Sequence, residues 1–497
     1  MLTTYLTWVL ISTLVTFVVK ILTTIRRQKQ LTVGLPEWSL MPFVGNLFLK
    51  NTEEYFECIL EAARVAEADK EGRFRTWVGT QFFIMTINME DIKKITNNLI
   101  DKPLFYTFAR IWIGNGLLTA PSDMWKKNIK ILSSTFGSNV VEGFQDIFNV
   151  QAKKLIDHLK TQVGGPPFDA FHGFFSRFAF ETICQTALGI EADDHSTTEQ
   201  FDSINAVSEK IVLRCFNVFY HSDFIYKLSA DYREVMQHIK KINKYSSDLM
   251  IKKRQERRDN RKMGIVEKEC MKGKSFLDLL LTISESNPNL TDQQIQWEIN
   301  TIIFGGQETN AVTLNFLFLC VGSNPRIQNK LFSEINGIFG DSDRDVTRED
   351  FVKMPYTEAV INETLRLYPS IPAVMRHADR DLEMDGYTIP KGTGAIVSIW
   401  GVGRSKKIWG EDVNEFIPER WIDRELPPNF SFIPFSYGRR ACIGKKYSLA
   451  VLKTTIAWIV RELSFTSDVA KLKLKSDIAL KPCRGHLLNV HLRKQQE

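Results

Sequence analysis

The sequence predicts a mainly α-helical protein with small β-sheets and one membrane-spanning helix at its N-terminus. Three observations carry this expectation. Apolar residues recur at three- and four-residue spacing through most of 50–375, stretches of extended character are few, and residues 1–19 carry no charged side chain.

The first element is an anchor over 1–25. Trp8, Val9, Leu10, Ile11, Leu14, Val15, Phe17 and Val18 make it strongly apolar, and Lys20 near its end can extend its ammonium to an interface. A helix needs roughly 20 apolar residues to cross a bilayer, and this stretch reaches that length. Cleaved signal peptides carry positive charge before the apolar stretch and small residues at a cut site, whereas Arg26, Arg27 and Lys29 come after it here. The positive-inside rule then leaves the rest of the chain in the cytosol, a single-pass arrangement. Residues 26–46 are expected to form a basic, proline-punctuated linker, with Pro36 and Pro42-Phe43-Val44-Gly45-Asn46, and the catalytic body to occupy 47–497.

Within the body, Ile204, Val207, Ile211, Cys215 and Val218 trace one helical face, with Ser208, Glu209 and Lys210 between them. The extended candidates are Phe82–Ile87, Gly386–Ile389 and Ala395–Ile399. A helix is expected to begin near Thr291, where Thr291 and Gln294 have the spacing of a capping box. Residues 252–274, rich in Lys and Arg with Glu interspersed, read as a solvated helix end and loop.

Composition narrows the function. With 44% hydrophobic and 25% charged residues the chain is globular rather than disordered. The net charge of +6 is mild for 497 residues, and no basic stripe with interleaved aromatics or zinc-finger spacing points to nucleic acid. Anionic lipid or an acidic protein partner fits this surplus better. Seven cysteines at 58, 184, 215, 270, 320, 442 and 483 are odd in number and never spaced C-x-x-C, which argues against a disulfide framework or a zinc site.

One of these cysteines stands in an unusual setting. In Phe435-Ser436-Tyr437-Gly438-Arg439-Arg440-Ala441-Cys442-Ile443-Gly444, Gly438 and Gly444 let the chain bend closely around a planar group. Loop N–H groups can then face the sulfur, and Arg440 can meet a carboxylate. Upstream, Glu363-Thr364-Leu365-Arg366 places an acid and a base at i and i+3, which alone is most often a surface pair. Phe416-Ile417-Pro418-Glu419-Arg420-Trp421 supplies a second arginine. In Glu298-Ile299-Asn300-Thr301-Ile302-Ile303-Phe304-Gly305-Gly306-Gln307-Glu308-Thr309-Asn310, two adjacent glycines interrupt a helix at a cost of about 1 kcal/mol each. They mark either close helix packing or room for a ligand beside an acid–alcohol pair.

Together these segments resemble the cytochrome P450 family. The cysteine loop matches its signature F-x-x-G-x-R-x-C-x-G at every fixed position, Glu363 and Arg366 match E-x-x-R, and Glu308-Thr309 match [A/G]-G-x-[D/E]-T-[T/S] up to Asn310. The helix segment is similar to the fatty-acid ω-hydroxylase branch of animal microsomal members, the family-four clan.

The resemblance implies a helical bundle around haem b, with Cys442 as the iron ligand. It places Phe435, Gly438, Arg440, Gly444, Arg376 and Trp125 in the cofactor-binding set. Thr309 and Glu308 are expected to handle proton delivery, and a buried Glu363–Arg366–Arg420 cluster to orient the cysteine loop. Implied partners are an NADPH-cytochrome P450 reductase, cytochrome b5, a lipophilic substrate and the endoplasmic reticulum membrane, with no nucleic acid. Lys126, Lys127, Lys130, Lys445 and Lys446 flank the expected docking face.

Departures from the family pattern sharpen the expectations. Members with Glu at the position of Gly305 can esterify their haem, so a non-covalent haem is expected here. Ile129 stands where W-x-x-x-R has its arginine, which leaves one propionate contact missing or moved, with Lys130 a candidate. Gly403-Arg404-Ser405 replaces the common His-Arg-Asp. By resemblance the substrate walls are 101–120 with Phe105, Tyr106, Phe108 and Trp112, then Phe304, Ala373, Val374 and Pro482–Gly485. These suit a fatty acid, terpenoid, hormone or xenobiotic. A haem-binding protein without oxygenase activity, and a haem-thiolate isomerase or dehydratase, are the rival classes.

Overall fold

A computed structural model describes residues 2–38, 49–191, 194–263, 273–288, 290–428 and 431–493. The helices that frame the site are α1 (Leu2–Leu31), α2 (Met89–Asn98), α3 (Ser122–Thr135), α4 (Ser176–Ile183), α5 (Asp194–Phe216), α6 (Asp223–Leu228), α7 (Ala230–Lys262), α8 (Asp292–Gly322), α9 (Pro355–Leu367) and α10 (Lys445–Glu462). The strands of the main sheet are β1 (Glu37–Trp38), β2 (Arg73–Val78), β3 (Gln81–Thr86), β4 (Ala373–His377) and β5 (Gly394–Ser398), in the order β1-β2-β3-β5-β4. A hairpin of β6 (Lys473–Ser476) and β7 (Leu480–Arg484) lies near the C-terminus. The fold is thus mainly helical with small sheets, as the apolar spacing predicts.

The apolar part of α1 is exposed from Thr4 to Lys20. It continues beyond residue 25 to Leu31, because neither Gly nor Pro interrupts the chain before Gly34 and Pro36. Its last turns are tied to the body: Arg27 pairs with Asp381, and Arg75 donates to the carbonyls of Lys29 and Thr32, both at 3.2 Å. Pro42–Asn46 of the expected linker lie outside the described residues, as do 264–272 of the basic stretch.

Helix α8 runs through the core, with Ala311–Gly322 buried on every face. Each fully buried Leu or Phe there contributes about 1.5–3 kcal/mol relative to exposure. Thr291 caps its N-terminus, accepting from the Gln294 N–H at 3.2 Å. The Gln294 side chain does not close the expected box. It donates to Glu298 Oε1 at 2.7 Å and to Asn115 O at 3.3 Å, because a buried carboxylate one turn on is the stronger acceptor.

The expected strand over Gly386–Ile389 is shorter, Thr388–Ile389, the other two start one residue earlier than expected, and β2 and β4 went unforeseen. In β2, Arg73-Phe74-Arg75-Thr76-Trp77-Val78 has no clean alternation because both faces are covered, leaving only Arg75 and Val78 half-exposed. In β4 only Arg376 is fully buried, a charged residue that hides the period-two pattern.

Candidate active site

The cysteine loop is a strained turn between Ile433 and α10. Gly438 has φ +72°, and a Cβ there would meet the Thr96 carbonyl oxygen of α2 at 2.5 Å, so only glycine fits. Ser436 is held at φ +61°, the one non-glycine in the left-handed region among the described residues. Gly444 does not serve as expected. At φ −83° its backbone is ordinary, and an added Cβ would lie 3.8 Å from Cys442 Sγ, in plain contact.

Cys442 is itself exposed within this loop. The Cys442 N–H donates to the Phe435 carbonyl at 2.8 Å, which closes the turn. Desolvation pushes the thiol's pKa up, while the backbone N–H groups of Gly444 and Lys445 and the Lys445 charge favour the thiolate.

Beside the loop lies a corner rich in positive charge. Arg440 spends its donors on carbonyls: Nε to Ile100 at 3.1 Å, Nη1 to Leu117 at 2.9 Å and Nη2 to Ala120 at 2.6 Å. Its guanidinium stacks 4.6 Å from the ring centre of Trp125. Arg376 is fully buried, yet Nε has no partner among the described residues. Lys102, which no sequence motif marks, lies near enough to both arginines for their charges to oppose its own. Burial holds the pKa of all three cations below their usual values, and Arg440 falls to about 9.

Such a corner suits an anion on physical grounds. Among the described residues none of the three cations has a carboxylate within ion-pairing distance, and Asp101 is the one acid that acts on Arg440. Three desolvated cations with an orphaned guanidinium nitrogen suit a group carrying two carboxylates. Haem has two propionates, and a thiolate beside the same loop suits its iron, so the residues present fit haem.

On α8 the two glycines divide the roles that sequence reading left open. A Cβ on Gly306 would meet Ile183 Cδ1 at 2.6 Å, so this glycine lets α8 pack against α4. Gly305 is exposed, and a Cβ there would meet nothing within 4 Å. Thr309, one turn on, is half-exposed and donates from Oγ1 to Gly305 O at 2.6 Å. Asn310 faces the other way, donating to Gly306 O at 2.8 Å and accepting from Ser448 Oγ at 2.6 Å. Its departure from the motif therefore leaves the Gly305 face unchanged.

Glu308 is buried and ion-paired with Lys481 on β7. Asp477 Oδ2 shares the same ammonium at 2.7 Å, and Asn205 Oδ1 accepts from it at 3.1 Å. Burial raises the Glu308 pKa while Lys481 opposes the rise. Lys481 carries no motif of its own, so its partnership emerges only from the fold.

The Glu–Arg cluster forms as expected. Glu363 and Arg366 are wholly buried and joined by two bonds of 2.8 Å. Arg366 reaches the carbonyls of Gly403 and Val413, and Glu363 accepts from the Ile417 N–H at 2.9 Å and Trp421 Nε1 at 3.0 Å. Arg420 is the looser member, 3.5 Å from Glu363 and 3.0 Å from Asp412. Trp421 then packs on Phe432, 4.4 Å between ring centres, just before the cysteine loop.

The expected substrate walls are only partly open. Phe105, Phe108, Trp112 and Phe304 are buried, with Trp112 edge-on to Phe304 at 5.1 Å. Tyr106, Ala373, Val374 and Cys483 are half-buried. Lys126, Lys127, Lys130, Lys445 and Lys446 are exposed. Ile129 instead packs on Ile100, Ala120 and Trp125.

A family profile described as Cytochrome P450 matches residues 35–488. The chain is similar to cytochrome P450 4V2 of Rattus norvegicus, 31% identical over 478 residues that cover 92% of this chain and 89% of that protein. It is 32% identical to cytochrome P450 4c21 of Blattella germanica over 415 residues, 80% of this chain and 82% of that one. Probable cytochrome P450 4e1 of Drosophila melanogaster is 29% identical over 433 residues, 85% of this chain and 81% of that protein.

Proposed function

The chain belongs to the cytochrome P450 family of haem monooxygenases, and from that premise we propose that it oxygenates a lipophilic substrate (a fatty acid, terpenoid, hormone or xenobiotic) with electrons that NADPH supplies through a separate reductase. The observation that carries this reading is Cys442, with the backbone N–H groups of Gly444 and Lys445 bonded to its sulfur. Phe435, Gly438, Arg440, Gly444, Arg376 and Trp125 would complete the cofactor's surroundings.

Bound through a thiolate, haem iron activates dioxygen so that one atom enters a C–H or C=C bond and the other leaves as water. The chain's own contribution is to hold charge and move protons. The two N–H groups stabilise the sulfur as thiolate, and the cation corner would meet the propionates. Thr309 Oγ1, now bonded to Gly305 O, can turn to hand on a proton, and Glu308 behind it can resupply one. With Gly305 in place of a carboxylate, the haem is held without an ester bond and should leave the chain on acid extraction.

The apolar α1 and the exposed Phe219, Phe224 and Leu228 around α6 support a body anchored to, and resting on, a membrane, which we assign to the endoplasmic reticulum with the body cytosolic. The exposed lysines at 126, 127, 130, 445 and 446 support an acidic reductase, with cytochrome b5 a second donor, docking over the cysteine loop.

The reduced protein in membranes should show a strongly red-shifted carbon monoxide difference band that Cys442→Ser removes. A band at the position of neutral-ligand haem in the unmutated chain would defeat the thiolate assignment. NADPH consumption with added reductase then separates a monooxygenase from a haem binder. Thr309→Ala should still load haem but release reducing equivalents as peroxide; well-coupled turnover would remove Thr309 from the relay.

A further inference from the structure

We propose that Asp169, His172 and His486 bind a divalent metal ion of the zinc type, at a site that uses none of the residues assigned to haem. One oxygen or ring nitrogen from each lies within 4.8 Å of the other two. Asp169 Oδ2 stands at the centre of the group, 2.6 Å from His172 Nδ1 and 3.2 Å from His486 Nε2.

Local structure brings the three together. The strand Leu487–Leu492 pairs antiparallel with Phe168–Asp169, and Leu487 stands opposite Asp169, so His486 enters the pairing beside that carboxylate. Gly485 turns the chain just before it at φ +68°, where a Cβ would collide with the Lys471 carbonyl oxygen. Asp169 Oδ1 accepts from the Phe171 and His172 N–H groups at 2.9 and 3.2 Å, which holds the carboxylate and leaves Oδ2 to the rings. His172 follows in one turn of π-helix, Phe171–Phe175, and is exposed, so an ion has a way in.

A surface Asp–His pair is commonplace by itself, and the buried third ring is what points to a ligand. His486 is 9% exposed, and neither of its ring nitrogens has a hydrogen-bond partner among the described residues, although Nε2 stands so near Asp169 Oδ2. An imidazole in that state forfeits the bonds it would make to water. Zinc bonds of about 2.0–2.2 Å set tetrahedral ligand atoms roughly 3.3 Å apart, close to the spacing of Nε2 and Oδ2. The exposed His172 ring can open its shorter contact to that spacing as the metal takes the place of the proton between Nδ1 and Oδ2. Two imidazoles and a carboxylate are a donor set of zinc and its neighbours, whereas magnesium and calcium take oxygen ligands. The ion would fasten the C-terminal strand to the segment that leads into α4, whose Ile183 packs against Gly306 of α8.

The test is equilibrium dialysis of the haem-loaded, full-length protein in detergent against zinc ion, with zinc per chain read by elemental analysis, alongside thermal unfolding. At the same free zinc the unmutated chain should hold one more ion than His172→Ala, and zinc should raise its thermal midpoint but not that of the variant. Asp169→Asn, which keeps an acceptor for the two N–H groups, should weaken binding by at least about 10-fold. His158→Ala, at an exposed histidine elsewhere, should leave it unchanged. Excess magnesium should not displace the zinc. Because His172 is exposed, its variant should unfold in one cooperative transition like the unmutated chain, so a lost ion is not a lost fold. Equal zinc on the unmutated and His172→Ala chains, no zinc on either, or displacement by magnesium overturns the proposal.

Discussion

Lys481 and Glu308 form a buried ion pair that joins the C-terminal hairpin to the middle of α8. Both side chains are almost wholly enclosed, and Asp477 Oδ2 lies 2.7 Å from the same ammonium. The triad carries two carboxylates and one cation. One acid can therefore take a proton without leaving an unpaired charge, a suitable property for a proton donor behind Thr309.

Lys481→Met should therefore impair proton delivery rather than haem loading. With the cation gone, burial and the neighbouring Asp477 charge are opposed only by Lys475, and the Glu308 pKa moves further up. The basic limb of the turnover–pH profile, where a proton donor loses its proton, should move to higher pH, and reductase-supported turnover should fall by about 10- to 100-fold. An unchanged profile, with the red-shifted band present, would detach Glu308 from the reaction.

The Glu363 cluster should divide into a rigid pair and a tolerant third member. Glu363→Ala leaves Arg366 buried beside carbonyls without its carboxylate, a loss of about 3–5 kcal/mol. Little folded protein should accumulate, as read by resistance to proteolysis. Arg420→Ala should be milder by more than half, because Arg420 stands 3.5 Å from Glu363 and relies on Asp412 at 3.0 Å. Equal damage from the two changes would contradict this division.

How much of this was legible in the sequence depends on how each residue does its work. Cys442, Gly438 and Glu363-Arg366 belong to local patterns, where spacing along the chain already implies proximity in space. The helical body was legible for the same reason, since apolar residues three and four apart share a face. Lys102 and Lys481 were not, because each acquires its role from segments far away in sequence: Arg376 and Arg440 for one, Glu308 for the other. Gly444 misled the reading because glycine can supply either left-handed backbone or bare space, and here its φ of −83° uses no left-handed backbone. Strand β4 was hidden by the buried Arg376, which interrupts its apolar pattern.

Glu298 makes stability fall as pH rises. Its carboxyl is buried on α8, and burial raises its pKa to about 7, although the Leu117 N–H at 2.8 Å, Gln294 and Asn128 all donate to it. A carboxyl with a raised folded-state pKa binds its proton more tightly folded than unfolded. Its contribution is complete below the unfolded value of 4.5 and is lost as pH climbs through about 7. The whole window is worth up to roughly 3 kcal/mol. The thermal midpoint of the unmutated chain should drop between pH 5 and pH 8, and Glu298→Gln should flatten that drop. Parallel slopes in the two proteins would show that Glu298 does not titrate in this range.

The paired glycines of α8 give opposite expectations for the same substitution. At Gly306 a methyl group meets Ile183 Cδ1 at 2.6 Å, and Ile183 is itself 1% exposed, so α4 must shift. Overpacking of this kind costs about 1–3 kcal/mol, partly offset by the gain of up to about 1 kcal/mol when alanine replaces glycine in a helix. Ile183→Val in the same chain should relieve the clash and recover stability. At Gly305 no atom lies within 4 Å of the added methyl, so the helix-propensity gain stands alone and the apoprotein should be slightly more stable. On the proposed function the new methyl enters space left for substrate beside α8, and lipophilic substrates should bind more weakly, by a spectral shift titration, with the carbon monoxide band unchanged. If Gly305→Ala destabilised the protein as much as Gly306→Ala, the two glycines would serve one packing role and the open face of α8 would lose its meaning.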